Sequence, residues 1–599
     1  MAKKRLDPTT IAVIVVCVVL LISWNFIFGP DGLNWLPETK AKAKIESVTK
    51  TNSSSPTKAP VPVSVNNAKP ISKRIVVPTT TIKDKNISSP VETQDYSSWD
   101  KQYSDIELSS KRSLYSVIIN PVKGEISSVI LKDFDDKART EKVTLDKNIA
   151  TGALSISNRR VDWKLVNVYK PIVDDKEESV IVKRDFTDGS GHDFTLTQTW
   201  SLSDSYIINY SFTITNPASE DLKFQDINIW LGGIRPIQYL SGDAARSEAH
   251  RIDILLAATD DTETIKASDK SLDNPQIQFE PIKWVAISDK YFACILRNAS
   301  KDVVFNGGNV NYRYPQYFNE DDGKKTKFFV LSSAARMTKI NIAGNGQQTW
   351  NLEYYAGPKE VQLLSEFVPY GSFIMHLAFS FLETISVWLL YALIYLKDVV
   401  GSYGWAIILL TVIVKLIFWP ITHKSNKSMK KMQTIQPLVK ELREKYKEDK
   451  PEQNKKIMEL YKREKVNPLG GCLPIVVQIP VFFALYWTLD GAIELRHSPF
   501  LWITDLTQPD TIGHIMGLAI NPLPVLMALT MVWQQRLTPM ATDPAQAKMM
   551  MFMPLIMLFF LYNMPSGLTL YWTVSQLISI LQLLINRRPS KKEKQLKTA

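Results

Sequence analysis

The sequence predicts a polytopic α-helical membrane protein of six transmembrane helices that carries one large all-β domain outside the membrane. Three observations lead there. Apolar runs of membrane length occur at Ile11–Phe28 and otherwise only beyond Phe373. The long stretch between them alternates apolar and polar residues at the period of a strand. Basic residues gather in a few segments beside the apolar runs, as they do on the inner side of a membrane.

Lys3, Lys4 and Arg5 precede the first run, and Gly29, Pro30 and Asp31 follow it without a small-residue cleavage pattern. Residues 1–30 therefore read as an uncleaved signal anchor with its N-terminus inside, rather than a removable signal peptide. Residues 31–102 are rich in Ser, Thr, Pro and Lys and poor in large apolar side chains, the composition of a disordered tether.

Residues 103–360 form the β domain, a sandwich in the simplest reading. Tyr206, Ile208, Tyr210, Phe212 and Ile214 fall on one face of a strand and Asn209, Ser211 and Thr213 on the other. Asp188-Gly189-Ser190-Gly191 supplies a hairpin turn. Further strands are expected at Leu114–Ile119, Ile126–Leu131, Trp284–Ile287 and Phe328–Leu331. His192 and His250 stand isolated, and no catalytic constellation is visible. The three cysteines, Cys17, Cys294 and Cys472, suggest neither a disulfide framework nor a metal site.

The remaining apolar runs give spans at 404–420, 473–489, 515–533, 549–562 and 568–585. The last two come from one 37-residue run, Met549–Ile585, which as a helix would measure about 55 Å against a ~30 Å hydrocarbon core. Asn563, Pro565, Ser566 and Gly567 break it into a hairpin. Segment 421–466 holds 14 Lys/Arg against 7 Asp/Glu, and the tail 587–599 is also basic, so both are expected inside. That leaves room for one crossing between the anchor and Ile421, assigned to 404–420. Region 361–403, with the run Phe373–Leu396, is then an amphipathic helix lying in the outer interface.

Lys415 is the sole charge in GWAIILLTVIVKLIFWP, Gly404–Pro420. A lysine at mid-bilayer costs roughly 2.5–3.5 kcal/mol on insertion scales. Either it faces water or a partner inside the bundle, on the same helix face as Thr411, or it snorkels toward the interfacial Trp419. Gln478, between Pro474 and Pro480, needs a partner in lipid, and a helix–helix hydrogen bond is the plain answer. Asp490, at the outer end of its helix, is expected to be solvated.

The basic segment 421–466 reads as a helical hairpin. Met429, Met432, Ile435, Val439, Leu442 and Tyr446 repeat at helical spacing, with a break at Asp449-Lys450-Pro451 and a second helix through Ile457, Leu460 and Tyr461. It is either a mobile, methionine-bearing platform for apolar nascent chain or a ribosome, or a solvated hairpin beside anionic headgroups. No nucleotide cradle is present, and no acidic residue lies mid-span to couple proton or sodium flow.

The tracts KVNPLGGCLPIVVQIPVFFALYWTL (Lys465–Leu489), MFMPLIMLFF (Met551–Phe560), PSGLTLYW (Pro565–Trp572), YYAGPK (Tyr354–Lys359) and WVAISDKYFACIL (Trp284–Leu296) closely resemble the YidC-type membrane protein insertases of bacteria. These belong to the Oxa/YidC/Alb family, in its Gram-negative form with a large periplasmic domain. The resemblance implies a five-helix insertase core, 404–586, below a periplasmic all-β super-sandwich. It implies insertion and folding of inner-membrane proteins, alone or with the Sec translocon, without cofactor, metal or catalytic residue. A hydrophilic groove open to the cytoplasm and lipid would carry Lys415, in place of the family's usual arginine, with Thr411 and Gln478. Substrate-contacting apolar positions fall on Phe482, Met527, Phe560 and Trp572, the last replacing a family tyrosine and its hydroxyl. The cytoplasmic loop would offer Met429, Met432 and Met458. Expected partners are nascent membrane proteins, the Sec translocon, membrane lipids and, weakly through the basic loop and short tail, the ribosome, with no nucleic-acid specificity. The competing reading is a small-solute secondary transporter with a sugar-sensing outer domain. A third is a purely structural assembly factor for the translocon.

Overall fold

Strand-period alternation builds the first half of the structure and helical periodicity the second. The computed structural model describes residues 99–587, with its longer gaps at 136–140, 146–151, 158–162, 235–250, 267–275, 300–304, 320–324, 467–472 and 538–543. The chain divides into two units, Met1–Lys83 and Asp84–Ala599. The first lies outside the described residues, as do the expected anchor 1–30, most of the tether 31–102, the tail from 588, His250, Cys17 and Cys472.

The β domain opens with β1 (Ile106–Ser109), β2 (Tyr115–Asn120), β3 (Glu125–Asp135) and β4 (Lys142–Leu145), which form one antiparallel sheet in that order. Then come β5 (Ile156–Ser157), β6 (Lys164–Val168), β7 (Ile172–Asp174), β8 (Ser179–Thr187), β9 (Asp193–Leu202), β10 (Ile207–Thr215) and β11 (Leu222–Trp230). They are followed by β12 (Arg251–Leu256), β13 (Thr262–Lys266), β14 (Gln276–Ile277), β15 (Ile282–Ser288) and β16 (Phe292–Asn298). The long strands β17 (Asn309–Asn319), β18 (Lys325–Ile342) and β19 (Gln347–Pro358) close the domain. One sheet runs β13-β12-β15-β16-β19-β10-β9-β8-β6 with β7 beside β8, and another β14-β17-β18-β11-β5.

Central strand β10 behaves as its pattern demands. Ile208, Tyr210, Phe212 and Ile214 are buried and Asn209 is exposed. Phe212 lies opposite Trp350 of β19, and the rings stack at 4.8 Å. Trp163 and Phe194 from the long sheet meet Phe224 of β11 at 5.4 and 5.3 Å, so the inner faces of two sheets interdigitate as a sandwich core. The turn before β9 is pinned by Asp188, whose carboxylate accepts from the backbone N–H of Ser190 and His192. Its second oxygen sits 3.3 Å from the His192 ring, so His192 is not isolated.

The helical half contains α1 (Val361–Phe367), α2 (Ser380–Val400), α3 (Tyr403–Thr434), α4 (Gln436–Lys445), α5 (Lys450–Arg463) and α6 (Leu473–Gly491). A short hairpin, β20 (Gly513–Ile515) and β21 (Leu518–Ile520), precedes α7 (Pro522–Leu537), α8 (Pro544–Leu561) and α9 (Ser566–Arg587). Two of these, Tyr403–Met432 and Ser566–Ile585, are long and apolar enough to cross a membrane, and Met551–Leu561 is a shorter apolar helix.

Several boundaries move. The span expected at 515–533 starts instead at Pro522, because 513–520 pair as strands and Asp510 accepts from Leu523 N–H at 2.7 Å, satisfying one free donor of the first turn. The span expected at 549–562 begins at Pro544, a residue favoured in a first helical turn. The first core helix does not stop at 420 but runs through Pro420 to Thr434, so the methionine repeat Met429–Tyr446 straddles a break at Ile435 rather than forming one helix. The hairpin proper is α4–α5, and Asp449 caps α5 by accepting from Glu452 N–H at 3.0 Å. The amphipathic helix α2 packs on the bundle: Ser386 Oγ donates to the Ala484 carbonyl of α6, and Thr488 Oγ1 returns a bond to the Ser386 carbonyl. Its exposed apolar stripe is Trp388, Tyr391, Tyr395 and Val399.

Polar contacts tie the sandwich to the helices. Lys290, just after β15, pairs with Asp490 at the end of α6 at 2.9 Å, so Asp490 is not simply solvated. Arg496 donates to the Asp135 carbonyl at 2.7 Å, Trp284 Nε1 to the Pro369 carbonyl at 3.0 Å, and His376 lies 2.8 Å from Asp253.

Candidate functional site

Three helices supply the polar interior of the bundle. On α3, Lys415 is 9 % exposed and Thr411 fully buried, one turn apart on one face. The Thr411 hydroxyl donates to the Ile407 carbonyl of its own helix at 2.6 Å. In this structure Thr411 is a small, buried residue whose hydroxyl proton is satisfied within its own helix.

Lys415 does not snorkel. Its Nζ donates to Ser579 Oγ of α9 at 3.0 Å, and Ser579 donates in turn to the Ser575 carbonyl at 2.9 Å. Among the described residues no carboxylate pairs with this ammonium. Gln478 of α6 donates through Nε2 to the Tyr571 hydroxyl, also on α9. Lys415 and Gln478 are thus brought to one helix and not to each other. Their partners, Tyr571 and Ser579, are eight residues or about 12 Å apart along α9.

The sequence reading missed α9 as the hub. Its signal was there: Tyr571, Ser575, Ser579 and Gln582 recur at i, i+4, i+8 and i+11, beside Thr569 and Thr573, in a membrane-length helix. Next to Trp572, Tyr571 is buried and its hydroxyl accepts from Gln478.

The apolar candidates divide. Phe482 and Trp572 are half-buried and meet edge to face at 4.9 Å, forming one wall. Phe560 is 61 % exposed on α8, and its unforeseen neighbour Phe559 is more exposed still. Met527 is fully buried in the core. In the basic hairpin, Met432 packs with Leu442 against Ile435, Val439, Ile457, Leu460 and Tyr461. Met429 is half-buried, and Met458 stands exposed.

A β-sandwich tied to a bundle of apolar helices, with a cation and an amide buried among those helices, defines a membrane-embedded protein with an extramembrane domain. Comparison gives the class its name. Residues 395–594 match the family model described as 60Kd inner membrane protein, and residues 110–419 match that of the YidC periplasmic domain. A relative in Pelobacter propionicus is 34 % identical over 496 residues, covering 80 % of this chain and 86 % of its own length. One in Geobacter sp. strain M21 is 40 % identical over 323 residues, covering 52 % of this chain and 54 % of its own. Both are named membrane protein insertase YidC. A crystal structure titled as an active YidC insertase with the first transmembrane domain resolved is 17 % identical, covers 81 % of this chain and 94 % of its own, and gives a TM-score of 0.35. The chain belongs to the YidC family of membrane protein insertases. The curated relatives support the insertase reading and not the solute-transporter alternative.

Proposed function

We propose that this chain inserts and folds inner-membrane proteins, alone or beside the Sec translocon, by offering the polar outer end of an incoming helix a cationic, hydroxyl-bearing path through the bundle. The observation that carries this is Lys415, nine-tenths buried, without a carboxylate partner among the described residues and held by a single hydroxyl. A charge left so weakly compensated favours an arriving carboxylate or carbonyl, since hydrogen bonds to an ion are the stronger ones.

In this reading Lys415 and Gln478 replace part of the water lost by the substrate's polar end. The apolar segment moves past the Phe482–Trp572 wall and Phe560 toward lipid, drawn by hydrophobic transfer. The basic α4–α5 hairpin, with Met458 outward, receives nascent chain and lies near anionic lipid, with weak ribosome contact. Six spans with both termini cytoplasmic and the sandwich periplasmic complete the topology. The process is binding and partition, with no residue assigned to catalysis and no cofactor.

The test is Lys415→Glu in cells depleted of their own insertase. Insertion of a short substrate with an acidic outer tail should fall at least about tenfold, the equivalent of ~1.4 kcal/mol. Unimpaired insertion would sink the electrostatic role. Photocrosslinkers at positions 415 and 560 should both capture stalled nascent chains.

A further inference from the structure

The polar stripe on α9 carries a finer assignment, which rests on the groove reading above. Ser579 Oγ spends its proton on the Ser575 carbonyl at 2.9 Å. What it offers Lys415 is therefore a lone pair, and its role toward the ammonium is fixed as acceptor. A lysine stem is long and flexible, and without an acceptor at this depth its head would swing toward water at the inner end of the helix.

One turn further toward that end lies Gln582, 5 % exposed. Its Nε2 is buried with no hydrogen-bond partner among the described residues. On α9 it lies about 20° round the helix from Ser575 and about 60° from Ser579, on the same side. A buried amide donor with nothing to give to is costly in a finished core, and it is the arrangement expected of a donor that waits for an outside acceptor.

We propose that Ser579 is a positioning residue that holds Lys415 at mid-depth, and that Gln582 is a binding donor for the carboxylate groups of an arriving polypeptide end, one turn before Lys415. The incoming acceptor meets Gln582 first. It then takes the Lys415 ammonium from Ser579, which falls back on its own helix backbone. No bond is made or broken other than hydrogen bonds.

The experiment uses the full chain reconstituted in liposomes, with two single-span substrates that differ only in an outer tail bearing two aspartates or two asparagines. In Ser579→Ala the acidic-to-neutral insertion ratio should fall about tenfold, the size of one hydrogen bond to a charged group. Ser579→Thr keeps the hydroxyl and should restore the ratio. Gln582→Leu should lower the same ratio about threefold, as for a neutral donor. Equal loss for both tails in Ser579→Ala, no rescue by threonine, or an unchanged ratio in Gln582→Leu would each overturn the assignment. Lys415→Glu, run alongside, separates the two ideas. If it leaves acidic-tail insertion intact, the groove reading has failed. If it impairs insertion while Ser579→Ala does not, the positioning role alone has failed.

Discussion

Two polar clusters obey opposite rules. Where the sandwich meets the helical half, charges find counter-charges: Lys290 with Asp490 and His376 with Asp253, while Arg297, paired with Glu353 inside the sandwich, also donates to the Phe367 carbonyl. Inside the bundle, Lys415 has a hydroxyl, Gln478 a phenol, and the Gln582 amide nitrogen no partner among the described residues. The first cluster spends its polar groups on holding two domains in one arrangement. The second leaves donors under-used, the arrangement the proposed passage of a polypeptide would draw on. Partner removal at the first should therefore cost stability, and at the second transport.

The junction also has an acidic side. Burial pushes the Glu494 carboxyl up to about 7, and repulsion from Glu360 adds to it. Burial likewise raises Asp289 above the ordinary range, against the pull of the Tyr291 and Phe292 backbone N–H groups and of Lys359. Asp253 goes the other way: burial would raise it, but the His376 charge and hydrogen bond and the Thr264 hydroxyl hold it below its usual value.

The comparison can be broken most severely at Lys290. Lys290→Glu sets like charges together beside Asp490 and should loosen the domain junction by roughly 1–3 kcal/mol, the usual range for a buried polar partner left unmade. Protease cleavage near Pro358–Val361 should accelerate while the isolated sandwich signal stays folded. Unchanged cleavage would mean that the pair is decorative.

A smaller effect is expected from pH. Glu494 has a folded value above its ordinary 4.5, so the folded state holds its proton where the unfolded state has released it. Its contribution is complete below pH 4.5 and is lost as pH rises toward 7, at up to about 1.4 kcal/mol per pH unit. Thermal unfolding of the detergent-solubilised chain should occur at higher temperature at pH 5 than at pH 8. Glu494→Gln should flatten that slope without abolishing it, because Asp289 titrates in the same sense. An identical slope in the variant would remove Glu494 from the junction's pH response.

The smallest change is Tyr571→Phe. It deprives Gln478 of its partner at a cost of about 0.6–1 kcal/mol, typical of a hydrogen bond between membrane helices. Insertion should slow no more than a few-fold, with the acidic-to-neutral ratio unmoved, since Tyr571 lies two turns along α9 from Ser579, the partner of Lys415. A shifted ratio would merge the two depths that the structure separates.

Much of this was legible in one sequence. The alternation of β10, the Asp188 turn, the break at Asn563–Gly567 and the isolated charge of Lys415 all act through near neighbours in the chain, where a period of 2 or 3.6 is a sufficient guide. The boundaries that slipped, at Pro522, Pro544 and Pro420, are proline positions, where local chemistry permits either a start or a passage and distant contacts choose. Met527 is fully buried and Met432 partly so, which their positions in the sequence do not announce, because an apolar side chain carries no mark of which neighbour will cover it.

The sequence by itself determined that a cation would be placed in an apolar helix, that a sandwich would precede a helical core, and that the tracts shared with the insertases would lie in order. Only the tertiary structure decided that α9 is the helix on which Lys415 and Gln478 converge, that Thr411 is spent on its own backbone, and that Asp490 anchors the outer domain. The reason is physical. Periodicity is set by backbone geometry within a few residues, whereas a hydrogen bond between positions 415 and 579 depends on how whole helices pack, and one sequence pattern is compatible with several packings.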